Sequence, residues 1–422
     1  MLPVSPSFDI LPRSCAGEVA EWSIAAVLKT VDLKGSGGSN PSLSAGKGLP
    51  GGSALDVRSS GMMIRTLSFA ALAALATAHC AATCAADVKA AASPRRAPVR
   101  ILLDSDMYTD FDDMGALAVL HALADLGECE ILAMASCTRG NGSVAAIEIC
   151  NAHFGRPGIP VGSSKIASAV KGAPKAHMKF VELQGRYPGM FRHANSDDAP
   201  DAVEVYRRAL AGAPDKGVVI CSLGFLSNMR ALLESPPDQV SPLDGRALVA
   251  KKVSKWVAMA CFYPHGHEFN SDGDAESSRI ALAGWPTPIV FVDFQYGRHL
   301  YTGRALAESD VEGSPVKDVF RSSLLPREEV TPRTWDQLAG HPSWDEAAVL
   351  VAVRGKGFAV ERGFYEITDG KGSCVWRYDP SSPSCRIVER ETRQVVAETI
   401  DSLMLAAEWS RAGRATKRQS AP

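Results

Sequence analysis

Six short apolar runs, VRILLDSD, ECEILAMAS, GIPVG, KGVVICSLG, VSKWVAMACF and TPIVFVDF, alternate with helix-like stretches such as DDMGALAVLHALADLG and DAVEVYRRALAGA. That alternation is the pattern of parallel strands joined by crossover helices. Near-continuous apolarity in VVIC and IVFV suits strands buried on both faces. The expected fold is α/β: an open, mainly parallel, doubly wound (Rossmann-like) sheet with helices on both faces. After about residue 355, FAVERGFYEITDG and SCVWRYDP are richer in aromatics and Gly turns, which predicts a small C-terminal β-hairpin appendage. A last stretch, TRQVVAETIDSLMLAAEW, predicts a closing helix. The chain carries no GxGxxG or GxxxxGKS phosphate loop and no internal repeat.

Composition narrows the class. Apolar residues make up 46% and charged residues 22% of 422, the balance of a protein with a large core. A net charge of −2 gives no field to attract nucleic acid or an anionic membrane, so a small molecule is the expected partner. Residues 1–61 are Gly/Ser-rich without apolar period and are expected to be a disordered or non-native extension. Residues 62–86 read as a signal peptide: Arg65, the apolar run LSFAALAALATA, then Cys84-Ala85-Ala86 before the cleavage point. An exported protein, periplasmic or secreted, is expected, with one domain over 98–412 and no membrane contact after cleavage. Seven cysteines follow that point, and Cys374 and Cys385 flank the turn YDPSSPS as a pair open to a disulfide in an oxidising compartment. Cys129, Cys137, Cys150, Cys221 and Cys261 are scattered and read as buried small hydrophobes.

Ligands of open α/β sheets bind beyond the carboxyl ends of strands. There, after the first strand, ILLDSDMYTDFDDMGALAVL places Asp104, Asp106, Asp110, Asp112 and Asp113 within ten residues. Converging carboxylates repel one another and are costly to bury without a cation. Oxygen-only ligation points to calcium or magnesium and not to zinc. One or two of the five can be caps of the following helix, where the dipole favours carboxylates; five exceed that need. An EF-hand loop starting at Asp104 fails, with Tyr108, Thr109 and Gly115 where ligands and glycine are required. A haloacid dehalogenase-type phosphatase needs Thr where Tyr108 stands.

The segment LLDSDMYTDFDDMGALAVL resembles the signature of the inosine–uridine preferring nucleoside hydrolases, in a variant with two extra residues before the Asp-Asp pair. The resemblance continues through NAHFGRPGIPVG, DDAPDAVEVYRRALAGAPDKGVVICSLGFLSNMRALL, HEFNSDGDAES, GWPTPIVF and HPSWDEAAVL, roughly residues 98 to 355. It implies calcium held by Asp106, Asp113, Asp345 and the carbonyl of Leu223. It implies that Asp106 takes the proton of a metal-bound water and that Asp112, Asn228, Glu268 and Asn270 hold the sugar. Asn141, in TRGNGS, matches the family's sugar-contacting asparagine, although an ungapped match puts Cys137 there. Asn228 is equally readable as a helix cap. His265 and His267 form an HxH pair but read as loop histidines, since no further His or Cys stands at zinc-ligand spacing. Homo-oligomers are common in the family.

Family members that favour inosine and uridine carry a His just before the distal aspartate. Trp344 stands there, and an indole does not ionise near neutral pH. Three alternatives follow: the leaving base is activated by stacking on Trp344, another acid such as His341 or Tyr263 takes over, or a different ribosyl compound is the substrate. The expected function is calcium-dependent hydrolysis of the N-glycosidic bond of a nucleoside or related riboside. A non-catalytic calcium-bound riboside binder and a metal-dependent phosphatase are the alternatives.

Overall fold

The computed structural model describes residues 97–108, 110–166, 178–324, 340–355, 358–389 and 393–419. The expected extension 1–61 and leader 62–86 lie outside the described residues. The strands are β1 (Val99–Ser105), β2 (Cys129–Ser136), β3 (Val161–Ser163), β4 (Val218–Ser222), β5 (Val253–Ala258), β6 (His265–Gly266), β7 (Ile289–Phe291), β8 (Tyr301–Gly303), β9 (Gly340–Pro342), β10 (Ala359–Ile367), β11 (Cys374–Tyr378) and β12 (Cys385–Val388). The described helices of eight residues or more are α1 (Asp112–Asp125), α2 (Ser143–His153), α3 (Met178–Arg186), α4 (Ala202–Gly212), α5 (Ser227–Glu234), α6 (Gly245–Lys252), α7 (Ala275–Gly284), α8 (Pro315–Leu324), α9 (Trp344–Arg354) and α10 (Arg393–Gln419).

All six expected runs are strands of one sheet in the order β3-β2-β1-β4-β5-β7, each pair parallel. Alternate side chains serve opposite faces, as the pleat requires. Ile101, Leu103, Val219 and Cys221 join the core under α1, α2, α8, α9 and α10, whereas Leu102, Val218 and Ile220 join the one under α4, α5, α6 and α7. The doubly wound reading therefore holds. Helix α1 is buried from Asp112 through Leu123, because it is wedged between the sheet and the helices α9 and α10. That explains its apolarity on all sides.

The expected hairpin forms, with β10 and β11 antiparallel. It does not stand apart from the sheet. Strand β12 pairs parallel with β7 and antiparallel with β10, so the hairpin continues the sheet to ten strands, ending β7-β12-β10-β11-β6. This placement excludes the Cys374–Cys385 bond, and both cysteines are free and buried. Strand β10 lies between them, with Cys374 opposite Ile367 and Cys385 opposite Arg362. Two strand spacings of about 4.8 Å each put the two backbones beyond disulfide reach. No described helix is long and apolar enough to cross a membrane.

Candidate active site

The chain leaves β1 for β2 and β3, then returns to lay β4 on the other side of β1. A crevice opens at such a reversal, outside the carboxyl ends of the two central strands. Asp104 and Ser105 end β1, and Asp106 follows; Leu223 and Gly224 follow β4. Strain marks both ends of the crevice. Met107 after β1 and Cys261 after β5 hold left-handed φ values of 44° and 74°, unusual without glycine and common at binding sites.

Two helices aim their N-termini at the same point. Neither α1 nor α9 has a side-chain cap of its own, and their first turns carry Asp112 and Asp113, and Asp345 and Glu346. Asp112 Oδ2 instead accepts the backbone N–H of Trp344 and of Asp345, each at 3.2 Å, so one helix's carboxylate caps the other. Asp113 Oδ1 accepts the Ser105 hydroxyl at 2.5 Å and the Met107 N–H at 3.3 Å. Asp112, Asp113 and Asp345 each bring a carboxylate oxygen within 4.8 Å of the other two. Asp106 borders this trio, its charge opposed by Asp113, Asp112 and Asp110. Its Oδ1 accepts the Tyr108 N–H at 3.2 Å, and its carbonyl accepts the Thr138 hydroxyl at 2.6 Å.

All four carboxylates are at most 6% exposed. Burial is the main cause that lifts each, and mutual repulsion adds to it. Asp112 is raised to about 7, with His341 pulling it back, and Asp113 to about 6, with Ser105 and Met107 pulling it back. Asp106 and Asp345 are held well above the usual carboxylate range. Glu346 beside them is fully buried, and neither of its carboxylate oxygens takes a hydrogen bond from another described residue. Gly115 makes room for it, since a Cβ there would lie 2.1 Å from Glu346 Oε1. This surplus of buried, oxygen-only donors fits a hard divalent cation.

Leu223 donates its N–H to the Asp104 carbonyl at 2.7 Å, and its own carbonyl is 3.4 Å from Asn270 Nδ2, which also donates to the Met259 carbonyl at 3.1 Å. The next residue packs tightly. A Cβ on Gly224 would lie 2.6 Å from Asp106 Cβ and 2.8 Å from its backbone nitrogen. Gly224→Ala is expected to cost about 1–3 kcal/mol by overpacking and to displace Asp106; urea unfolding and calcium titration check both.

Other expected residues take different stations. Asn228 is not a cap: it sits inside α5, donating to Asp104 Oδ2 at 2.7 Å and to the Ser136 carbonyl at 3.2 Å. It ties α5 to β1 and β2 behind the crevice. Glu268 is the N-cap of the short helix Phe269–Gly273 and accepts from the backbone of Asn270, Ser271 and Cys261 and from the Ser271 hydroxyl. Its carboxylate therefore holds the loop together, with three of the four bonds on Oε2. Asn141 is exposed on the turn before α2, whereas Cys137 packs against Asp104 and Asp106. His265 and His267 are exposed, but His265 belongs to strand β6, opposite Val375 of β11, and not to a loop.

Trp344 donates its indole N–H to the Phe294 carbonyl at 2.9 Å and stacks on the Phe294 ring at 5.2 Å. Its only proton is committed, and a ring face is what it has left to offer. His341 lies closer to the carboxylates than its position four residues before Asp345 suggests, since its charge is felt by Asp112. Its ring sits 4.3 Å from that of Phe111, Nδ1 is 2.7 Å from the Pro342 carbonyl, and Nε2 is 3.7 Å from Asp110. Lys179 gave no signal in the sequence, because α3 brings it in from outside every motif. Its ammonium is felt by Asp113 and lies 5.6 Å from the Phe111 ring.

No protein-family model and no curated protein matches this chain. Solved structures do. A plant nucleoside hydrolase is 18% identical, with a TM-score of 0.54 over 73% of this chain and 99% of that one. The inosine–uridine preferring nucleoside hydrolase of Bacillus anthracis is 13% identical, with a TM-score of 0.54 over 73% and 99%. The type III effector protein XopQ, solved with adenosine diphosphate ribose, is 15% identical, with a TM-score of 0.54 over 75% and 95%. The chain thus has the fold of the nucleoside hydrolases, with a buried carboxylate cluster at its switch point.

Proposed function

We propose that this crevice binds calcium and hydrolyses the N-glycosidic bond of a nucleoside or related riboside, in a protein that is exported. The observation that carries the reading is the convergence of Asp106, Asp112, Asp113 and Asp345 where the fold opens. Asp106, Asp113, Asp345 and the Leu223 carbonyl would hold the cation, which supplies charge neutralisation and acidifies water when bound.

The chain's own groups do the rest. Asp106 accepts the proton of the attacking water, its carboxylate positioned by the Tyr108 amide. Asp112, oriented by the two amides of α9, presents Oδ1 to the ribose hydroxyls. Asn270 acts beside it, its amide nitrogen fixed on the Met259 carbonyl. Glu268 positions that loop through its four bonds. As the bond breaks, positive charge grows on the sugar, and the buried carboxylates stabilise it more strongly than water would.

His341 is the proton donor we assign to the leaving base, since an imidazole nitrogen can hand a proton on and the Trp344 indole, whose N–H does not ionise, cannot. His341→Gln should lower kcat about 100-fold on nucleosides and leave p-nitrophenyl riboside, whose leaving group needs no proton, nearly unchanged. Equal losses on both substrates would remove His341 from this role. The metal half is tested by isothermal titration. One calcium per chain is expected in the wild type and none in Asp345→Asn; absence of calcium binding to the wild type overturns the proposal.

A further inference from the structure

We propose that Cys261 and Cys374 become a disulfide when the chain folds under oxidising conditions, stapling the loop that follows β5 to the hairpin. Cys374 opens β11, and its sulfur accepts the Phe262 N–H at 3.1 Å, one residue from Cys261. Its thiol lies 3.4 Å from the Gly266 carbonyl and 3.7 Å from that of Phe262, so the loop wraps around it. The Cys261 sulfur accepts the Ser271 hydroxyl at 3.5 Å, and the two thiols share a hydrogen bond with each other.

The backbone prepares this meeting. Cys261 is held at a φ of 74° by its N–H bonds to Glu268 Oε2 and Ser271 Oγ, each 3.0 Å. The thiols are also unequal. The hydrogen bond from Cys261 holds Cys374 below the usual thiol range, while burial pushes Cys261 well above it.

A small disulfide of the glutathione class supplies the oxidation. The Cys374 thiolate attacks one of its sulfurs, forming a mixed disulfide and expelling one glutathione thiolate. Cys261, once deprotonated, attacks the Cys374 sulfur, forming the protein S–S bond and expelling the second glutathione thiolate. The two protein protons end on the two glutathiones, so two thiols are oxidised as one small disulfide is reduced. Both cysteines are at most 1% exposed in the folded chain, which places the exchange before the hairpin closes over the loop.

The bond would fix Glu268 and Asn270 relative to β11 whether or not the crevice cleaves anything. To test it, the full chain is reduced, unfolded, refolded with oxidised and reduced glutathione, alkylated and mapped by mass spectrometry. The expected result is a linked peptide carrying Cys261 and Cys374, and a Tm roughly 5–10 °C above that of protein refolded under reductant. Cys261→Ser and Cys374→Ser should each lose the linked peptide and the Tm gain; Cys385→Ser should keep both. Refolded wild-type protein with both thiols alkylated, or with Cys374 joined to another cysteine, overturns the proposal. The wild-type map decides even if a variant fails to fold, and it reads thiols and not turnover.

Discussion

Asp106→Asn should lower riboside turnover by about 10³-fold or more, since the proton acceptor is gone, while the calcium-free protein becomes more stable than the wild type. The two effects share one cause. Asp106 is buried among Asp113, Asp112 and Asp110, all of which oppose its charge. An amide of the same shape keeps the packing against Gly224 and removes one repelling charge. A gain of about 1–3 kcal/mol in the chelated protein is expected, by the logic of trading activity against stability. Steady-state kinetics and urea unfolding with chelator read the pair. A variant that loses stability together with activity would mean that Asp106 is a structural residue.

Calcium should raise the Tm far more at pH 8 than at pH 5. The sign follows from the direction of the shifts. Asp112 and Asp113 are raised to about 7 and about 6, against about 3.9 in an unfolded chain. Asp106 and Asp345 are raised as well, and Asp104 and Glu268 stand at about 7, all with burial as the leading cause. Between about pH 4 and pH 7 the metal-free folded protein therefore holds more protons than the unfolded chain, and its stability falls as pH rises through that window. Calcium replaces those protons, so binding should release protons and strengthen with pH. At a thousandfold excess over Kd the gain is about 4 kcal/mol. A chelated protein whose Tm climbs from pH 5 to pH 8, or one that calcium stabilises equally at both, contradicts this electrostatic account.

Much of this was legible in sequence because it is local. Periodicity marked the six parallel strands, and five aspartates at the end of the first one marked the crevice. What was not legible depends on distant pairing. CRIV is too short and follows too many Ser and Pro residues to announce itself, yet β12 decides that the hairpin extends the sheet and that Cys374 faces Cys261 and not Cys385. Motif matching also assigned roles by position, whereas hydrogen bonds assign them by partner. Glu268 is occupied by its own helix, Asn228 by Asp104, and the Trp344 N–H by Phe294. Asp112 carries a double duty that no spacing rule contains, capping α9 from the first turn of α1. His341 and Lys179 reach the carboxylates only through the packing of β9 and α3 around Phe111.

Cleavage of ribosides by the calcium-loaded carboxylate crevice is tested by a reducing-sugar assay of the protein against purine and pyrimidine ribonucleosides, with calcium and then with chelator. Free ribose is expected from at least one of them, lost on chelation and restored by calcium. Calcium-bound protein that releases no sugar from any of them would contradict it and leave a riboside-binding protein in its place.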